Sequence, residues 1–258
     1  MPATPQNRDI AATFAKGMAV LAAFDGRSAA LTLAEIARRA GQDRAAARRG
    51  ALTLVALGYL RQEGRAFSLT PKVLGPAGAY LQAHGVGRLV QPVLNHHAAE
   101  IGREITLATR DGVEVLLVAQ STVQDGPVSQ GFTAGSRLPL VSTALGRMLL
   151  ACEPQAEAEA LVDQAPRVTH SADSLTDPRR IKTRIVTARA HGVARTDGEF
   201  EPGILGLAVP ASAPGARAVV LGTSFPRGPA AEAQGARALA GLRDCAAELR
   251  RAGAIEML

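Results

Sequence analysis

The chain has 258 residues, 47% of them apolar, and a formal net charge of +6. This length allows one large or two ordinary domains with sizeable cores, and no uncharged apolar run approaches the 18 residues of a membrane span. The beginning of the chain, MPATPQNRDIAATF, lacks the pattern of a signal peptide, so we expect a cytoplasmic protein without a membrane partner.

The positive charge is concentrated in the first third of the chain. Residues 1–80 contain 11 Lys and Arg against 5 Asp and Glu, whereas residues 81–258 contain 18 of each kind. A general compositional bias would spread the excess evenly. The distribution therefore predicts a basic amino-terminal module, suited to a polyanionic partner, joined to a larger and electrically neutral one.

Two helices are predicted at the beginning of this basic module. The first is indicated by apolar residues at helical spacing, which we expect to face the core: Phe14, Met18, Leu21 and Ala22. The second begins at Thr32, where Glu35 completes a capping box, and ends at Gly41. Its predicted apolar face consists of Leu33, Ile36, Ala37 and Ala40.

The stretch DRAAARRGALTLVALGYL, residues 43–60, predicts a third helix with an unusual charge distribution. Asp43 is a good N-cap, but Arg44, Arg48 and Arg49 follow in the first two turns, where the helix dipole is already positive. These arginines have a physical reason if this end enters the major groove of DNA, where they face phosphate and base acceptors. The predicted buried side consists of Ala45, Leu52, Leu54, Val55 and Leu57, and Gly58 ends the helix.

A β-hairpin is predicted directly after the third helix. The runs YLRQE and AFSLT alternate in polarity around the turn GR. A hairpin that follows a helix-turn-helix is typical of a DNA-binding wing, on which Arg61 and Arg65 would meet the phosphate backbone. Pro71 closes this module, which we assign to residues 1–71.

Residues 72–258 form the second predicted module. Residues 72–102 have a helical pattern interrupted by Gly75-Pro76, Gly85 and Pro92, which predicts two linker helices, and residues 103–258 form the sensor core. Strand pairs are predicted in EITLATRDGVEVLLVAQS and GILGLAVPASAPGARAVVLGTS. Helices are predicted in STALGRMLLA, EPQAEAEALVDQA, TDPRRIKTRIVTARAHG (capped by Thr176 and ended by Gly192) and the stretch from Pro229 to Gly253. Because strands and helices do not strictly alternate, we expect an antiparallel α+β sheet flanked by helices.

Recognisable catalytic and metal-binding motifs are absent from the sequence. His96 and His97 are adjacent and point to different sides of a helix, so we expect solvated histidines and no metal site. Cys152 and Cys245 are too few for a disulfide framework and are predicted to be reduced thiols. We therefore predict no catalytic residue and no cofactor.

Two stretches nevertheless have features of a binding site. In RTDGEFEPG, Asp197 and Glu199 are close enough to pair, although by themselves they favour a solvated turn because no nucleophile or substrate clamp accompanies them. In GSRLPLVSTALGRMLLA, the small residues Ser142, Thr143 and Ala144 would leave the N–H groups of a helix start accessible to a carboxylate. The alternative for the second stretch is a plain capped helix that packs through Leu145, Met148 and Leu149.

Four segments in order resemble one known family: LTLAEIARRAG, RAAARRGALTLVALGYL, FSLTPKVLGPAGAYL and GSRLPLVSTALGRMLLA. Together they resemble IclR-type bacterial transcription regulators, most of all the subgroup that regulates aromatic-acid catabolism through protocatechuate and β-ketoadipate. The resemblance implies a winged helix-turn-helix, a linker helix and a GAF-like effector domain with an antiparallel sheet. It also implies a homodimer, or a dimer of dimers, on a palindromic operator in double-stranded DNA.

The resemblance implies functional residues in both modules. It makes residues 43–57 the recognition helix, and the expected DNA contacts are Thr32, Arg44, Arg48, Arg49, Arg61 and Arg65. The implied effector contacts are Thr143, Ala144, Leu145, Asp197, Glu199, Ile204, Gly206, Ala208, Gly222, Thr223 and Ser224. The chain departs from the family where Gly50 and Ala51 replace larger apolar residues, and where VVLGTS replaces a strand end that contains Asn.

Three functions follow as competing hypotheses. The first is a sequence-specific DNA-binding regulator controlled by a small organic acid, which predicts that Arg48→Ala weakens operator binding. The second is an enzyme that acts on a small acid and carries an appended winged helix, which predicts turnover that depends on Asp197. The third is a winged module used for protein contact, which predicts that Arg48→Ala leaves operator binding unchanged.

Overall fold

The computed structural model describes residues 10–26, 28–122 and 132–258. It divides into two compact units, the first ending at Tyr80 and the second spanning Leu81–Leu258. The helix α4, Leu74–Ala83, contains this boundary.

The first unit is a winged helix-turn-helix. Its elements in chain order are α1 Ala12–Ala22, β1 Leu31–Thr32, α2 Leu33–Arg39, α3 Arg44–Ala56, β2 Leu60–Glu63, β3 Ala66–Leu69 and a 3-10 turn Pro71–Val73. The three strands form an antiparallel sheet in the order β1-β3-β2, in which Phe67 pairs with Leu31 on one side and Gln62 on the other. The predicted helices and hairpin are confirmed, whereas β1 is too short to show a periodicity and was not predicted.

The helix boundaries of this unit follow their caps. Thr32 and Glu35 form the predicted capping box, and Gly41 adopts a φ of +64° after α2. The Asp43 carboxylate accepts the Ala46 N–H at 2.8 Å, which makes Asp43 the N-cap of α3. These three predictions are confirmed because capping depends on residues adjacent in sequence.

The predicted buried faces of α1 and α3 are partly wrong. Phe14 and Met18 are 70% and 47% exposed, and Val20 and Ala23 are buried in their place. On α3, Ala45 and Leu57 are exposed, and the core contacts come from Ala46, Ala47, Ala51 and Leu54. The physical reason is a close helix crossing, because a Cβ added to Gly50 would lie 3.0 Å from Val20 Cγ2. Small residues therefore face the crossing, which also explains Gly50.

The second unit is a six-stranded antiparallel sheet between two groups of helices. Its elements are a π-helical turn Val86–Val90, α5 Gln91–Ile101, β4 Thr106–Asp111, β5 Glu114–Gln120, β6 Arg137–Pro139, α6 Ala144–Cys152, α7 Gln155–Gln164, α8 Pro178–His191, β7 Ala194–Asp197, β8 Ile204–Pro210, β9 Val219–Pro226 and α9 Ala231–Arg251. The strand order is β6-β5-β4-β9-β8-β7, and every neighbouring pair is antiparallel. The predicted fold class, a winged helix-turn-helix joined to an antiparallel α+β effector domain, is confirmed.

Two cores lie on opposite faces of this sheet, because successive strand residues point to opposite sides. Leu107 and Leu207 belong to the core with α5 and α9, whereas the next residues, Ala108 and Ala208, belong to the core with α6, α7 and α8. Cys245 is buried in the first core, and burial raises the pKa of its thiol to about 12. Cys152 is half-buried, and both cysteines are free thiols, as expected.

Several predictions for the second unit need correction. The strands β6 and β7 were not predicted. Asp197, which was expected in a turn, is the last residue of β7. The N-cap of α8 is Asp177 and not Thr176, because the Asp177 side chain accepts the Arg179 N–H at 2.9 Å. Gly85 separates the two linker helices with a φ of +62°. Gly75-Pro76 does not interrupt α4, because Pro76 lies in its first turn, and Pro92 lies where the π-helical turn Val86–Val90 passes into α5.

The prediction that His97 is solvated is wrong. Its ring is buried between α5 and α9, and Nε2 lies 2.9 Å from Glu248 Oε2, while His96 is exposed. Among the described residues, no group of His, Cys, Asp or Glu could hold a metal ion. In the same part of the chain, no helix is long and apolar enough to cross a membrane.

Candidate functional site

The exposed face of α3 carries the three predicted arginines. Arg44, Arg48 and Arg49 are all exposed, opposite the side on which Ala47 and Ala51 are buried. The Ala46 N–H bond lowers the pKa of Asp43, so this cap stays ionised beside them. The beginning of α3 therefore carries exposed guanidinium groups, while the Asp43 side chain bonds the Ala46 N–H.

The wing adds two more exposed cations. Arg65 follows Gly64, which makes the hairpin turn with a φ of +59°. Arg61, on β2, donates from Nε to Ser68 Oγ at 2.9 Å and lies 3.3 Å from Glu63 Oε1. Both side chains are exposed, and Arg61 also has partners on the wing.

Thr32, unlike the arginines, is a helix-capping residue, the N-cap of α2. Its hydroxyl donates to Glu35 Oε2 at 2.7 Å and accepts the Glu35 N–H at 3.4 Å. The Thr32 N–H and, to a smaller extent, its hydroxyl donate to the Glu35 carboxylate and lower the pKa of Glu35. Thr32 therefore begins α2, and its contact with DNA stays a prediction.

A pocket in the second unit lies where the start of α6 meets β8, β9 and β4, and its cavity volume is about 100 Å³. The residues around it come from seven separate segments of the chain. They are Glu104, Thr106, Leu117, Gln120, Phe132, Leu138, Thr143, Ala144, Leu145, Thr196, Phe200, Glu201, Ile204, Gly206, Leu207, Gly222, Thr223 and Ser224.

The start of α6 forms one wall of this pocket. Thr143 is the N-cap, because its hydroxyl accepts the Gly146 N–H at 3.1 Å and donates to the Pro139 carbonyl at 2.8 Å. Ala144 and Leu145 line the pocket, and in a first helical turn the N–H groups have no carbonyl one turn earlier to bond. The predicted accessible helix start is therefore brought to a concave surface.

Glycines on the strands allow this close approach of α6. A Cβ on Gly206 would lie 2.6 Å from Thr196 Oγ1, and one on Gly222 would lie 2.6 Å from Leu145 Cδ2. The Cβ on Gly206 would also lie 3.2 Å from Ala144 Cβ, so a larger residue at 206 would meet both β7 and the start of α6, and one at 222 would displace the Leu145 side chain. Both glycines line the pocket.

The charged side chains that line the pocket are acidic. Glu104 and Glu201 are carboxylic acids, burial raises the pKa of Glu201, and no Lys or Arg occurs among the described lining residues. The two aromatic rings of the lining, Phe132 and Phe200, have centroids 6.5 Å apart. A negatively charged ligand therefore has the backbone N–H groups of α6 as its main source of positive potential.

The structure brings eight of the eleven implied effector residues to this pocket. These are Thr143, Ala144, Leu145, Ile204, Gly206, Gly222, Thr223 and Ser224. Asp197, Glu199 and Ala208 are not among the lining residues: Asp197 is exposed and paired with Arg227, Glu199 is buried and paired with Arg147, and Ala208 lies in the core with α6.

Sequence reasoning missed other lining residues, among them Glu104, Gln120, Phe200 and Glu201. Phe200 had a usable signal, because the chain has 6 phenylalanines and this one stands among polar residues in GEFEPG. Glu104 and Gln120 had none, because they reach the pocket only through the pairing of β4 with β5 and β9.

Two family models match the chain. The model described as "IclR helix-turn-helix domain" matches residues 13–64, and the one described as "Bacterial transcriptional regulator IclR C-terminal" matches residues 78–251. The chain belongs to the IclR family of bacterial transcriptional regulators. The resemblance to this family and to its aromatic-acid subgroup is confirmed.

Individual relatives agree with this assignment. The Pca regulon regulatory protein of Pseudomonas putida is 34% identical over 202 residues, 78% of this chain and 69% of that protein. The p-hydroxybenzoate hydroxylase transcriptional activator of Acinetobacter baylyi is 30% identical over 209 residues, 80% and 77% of the two chains. An IclR homolog of Microbacterium hydrocarbonoxydans, solved with 4-hydroxybenzoate, has the same fold with a TM-score of 0.71 at 22% identity, covering 93% of this chain and 98% of that one.

Family membership decides between the functional hypotheses. The matched helix-turn-helix belongs to transcriptional regulators, and the relatives are named as regulators and not as enzymes. The IclR-family chain is therefore a DNA-binding regulator of transcription with an effector-binding domain, and it is not an enzyme.

Proposed function

We propose that this regulator controls genes of aromatic-acid catabolism and that its effector is a small aromatic carboxylate bound in the pocket at the start of α6. The observation that carries the proposal is the composition of this pocket, in which a helix start, two phenylalanines and hydroxyl-bearing residues converge. Relatives named for a Pca regulon and for p-hydroxybenzoate hydroxylase support this effector class.

Each part of such a ligand has a matching part of the pocket. The carboxylate would lie at Ala144 and Leu145, where the helix dipole favours negative charge. The ring would pack near Phe132 and Phe200. A ring hydroxyl would donate to an acceptor at the other walls, where Glu104 and Glu201 lie.

We propose that the arginines of α3 read the operator. Arg44, Arg48 and Arg49 would enter the major groove of double-stranded DNA, while Arg61 and Arg65 on the wing would contact phosphates. A homodimer, or a dimer of dimers, would place two such helices on the half-sites of a palindrome roughly 34 Å apart. The protein would act in the bacterial cytoplasm, where the chromosome lies.

Effector control requires a difference in affinity between two states. The acid changes operator binding only if it binds one arrangement of the protein better than another, and operator DNA must then change the affinity for the acid by the same factor. This reciprocity is measurable in both directions on one preparation.

The DNA half of the proposal is tested by Arg48→Ala. Operator binding is measured by fluorescence anisotropy on the intergenic region upstream of the gene. We expect affinity to fall by about 5- to 150-fold, the loss that corresponds to roughly 1–3 kcal/mol for a base contact. Arg184→Ala removes another exposed arginine, on α8, and should leave affinity unchanged. Equal affinities for both variants would contradict the proposal.

The effector half is tested by thermal shift with 4-hydroxybenzoate. Because a ligand that binds the native state raises the melting temperature by mass action, a shift that grows with concentration is expected. Ser224→Leu fills part of the pocket and should abolish the shift. Thr183→Leu adds similar bulk on the exposed face of α8 and should retain it. A shift that survives in Ser224→Leu would place the ligand elsewhere.

A further inference from the structure

A buried ion pair lies beside the pocket without lining it. The Arg147 side chain is 1% exposed and that of Glu199 is 11% exposed. Arg147 Nη1 donates to Glu199 Oε1 at 2.7 Å, Nη2 donates to Glu199 Oε2, and Nε donates to the Val141 carbonyl at 2.9 Å. One guanidinium group thus fixes two separate segments of the chain.

These two segments both contribute to the pocket lining. Between Val141 and Arg147 lie Thr143, Ala144 and Leu145, and directly after Glu199 come Phe200 and Glu201; all five line the pocket. The second segment is also held from its other side, because Ser174 Oγ donates to the Glu199 carbonyl at 2.8 Å. The ion pair is therefore a direct link from the helix wall to the wall that carries Phe200.

A buried ion pair contributes more to the orientation of the segments it joins than to net stability. Removing two charges from water costs about as much as their attraction returns, so a buried pair adds little net stability compared with apolar residues of the same volume. The pair instead fixes the relative position of the two side chains, because a guanidinium group binds a carboxylate through two parallel hydrogen bonds in one plane. Lysine cannot supply the two parallel bonds.

From these contacts we propose that Arg147 and Glu199 are positioning residues of the effector site. They hold the α6 wall and the Phe200 wall at the separation that the effector requires, and Glu199 does not touch the effector. This differs from the sequence-based prediction that Glu199 is an effector contact. The inference rests on the proposed function only for the choice of ligand.

The first test is a double-mutant cycle on affinity for 4-hydroxybenzoate, measured by titration calorimetry with Arg147→Met, Glu199→Leu and the double variant. If both residues act through one link, each single variant loses at least about tenfold in affinity and the double variant loses no more than the worse single variant. Arg110→Met is the matched control, because it breaks the Arg110–Glu153 pair, whose residues do not line the pocket. It should bind as the original protein does.

Specific outcomes of this cycle would overturn the inference. Unchanged affinity in both single variants would show that the pair positions nothing. A loss in Glu199→Leu without one in Arg147→Met would show that Glu199 contacts the ligand directly. If either apolar variant unfolds, Arg147→Lys and Glu199→Asp keep the charges but not the fork, and each should still weaken binding by several-fold while circular dichroism stays unchanged.

The second test needs no ligand. Hydrogen exchange of the full-length protein is measured on the same variants without any added acid. In Arg147→Met and in Glu199→Leu, amides 144–146 and 200–203 should exchange faster together, whereas amides of α9 should not change. Unchanged exchange at either wall overturns the inference. If the original protein fails to bind 4-hydroxybenzoate, the proposed effector class is wrong, and exchange still decides the role of the pair.

Discussion

The residues at the start of α3 have opposite effects on the stability of the helix. Asp43 favours the helix start because its carboxylate accepts the Ala46 N–H, whereas Arg44, Arg48 and Arg49 add positive charge to an end that is already positive. An ionised Asp43 offsets part of this repulsion, since its pKa is lowered by the backbone bond and, to a smaller extent, by the charge of Arg49. Asp43 thus stabilises a helix start that carries three exposed arginines.

This arrangement predicts a specific pH dependence for Asp43→Asn. The folded-state pKa of Asp43 is lowered from 3.8, so its contribution to stability is full above that value and is lost as the pH falls through the lower folded pKa. Asparagine caps about as well but does not titrate. We expect the original protein to lose stability relative to Asp43→Asn below about pH 4 in urea unfolding at a series of pH values. Parallel pH curves would contradict this role.

At the scale of elements, the helix crossing of α1 and α3 decides which side chains are buried. Gly50 faces Val20 at the crossing, and its neighbours on the buried side are alanines, so the two backbones approach closely. The larger apolar residues of α1, Phe14 and Met18, consequently remain on the outside. The residue of α1 that is buried at the crossing is the smaller Val20.

Two glycine substitutions test this crossing. Gly50→Leu would force the side chain into Val20 and should destabilise the protein by about 1–3 kcal/mol. Gly17→Ala is the matched control, because its added Cβ meets nothing within 4 Å and it should stabilise α1 by about 0.5–1 kcal/mol. Chemical denaturation of both variants measures the difference. Equal effects of the same sign would show that the crossing is not tight.

For the whole molecule, the distribution of charge separates the two binding activities. The excess of cations lies in residues 1–80, whereas the described lining of the pocket contains no Lys or Arg and offers backbone N–H groups instead. Binding to DNA releases counterions, but binding to a partly buried helix start releases few.

This separation predicts different salt dependences for the two ligands. Between about 50 and 200 mM salt, operator affinity should fall steeply, by an order of magnitude or more, while affinity for 4-hydroxybenzoate should change by less than about threefold. Anisotropy and calorimetry on one preparation give both slopes. A flat slope for DNA would remove the phosphate contacts from the proposal, and a steep one for the acid would indicate unidentified cations at its site.

Features set by neighbours in sequence were predictable in this chain. The capping box at Thr32, the N-cap at Asp43 and the hairpin around Gly64 depend on residues within a few positions of one another. The buried faces of α1 and α3 could not be predicted, because the periodicity shows that a stripe of apolar residues exists but not which helix packs against it.

The pocket residues also divide into those that could be predicted from the sequence and those that depend on tertiary packing. The helix start at Thr143 could be named from its small residues, and the glycines at 206 and 222 from the family resemblance. Glu104 and Gln120 become neighbours of that helix only when β4 pairs with β5 and β9. Glu199 was predicted as an effector contact, and its ion pair with Arg147 could not be predicted because the two residues are 52 positions apart in the chain.

The sequence by itself determined the helix-turn-helix with its basic face, the antiparallel class of the second module and the family, since local caps, periodicity and motif order carry that information. Only the tertiary structure decided which stripes are buried, that Asp197 and Glu199 are paired with arginines, and which residues surround the pocket. The physical reason is that burial and ion pairing are properties of two surfaces in contact, and the partner surfaces here come from distant segments of the chain.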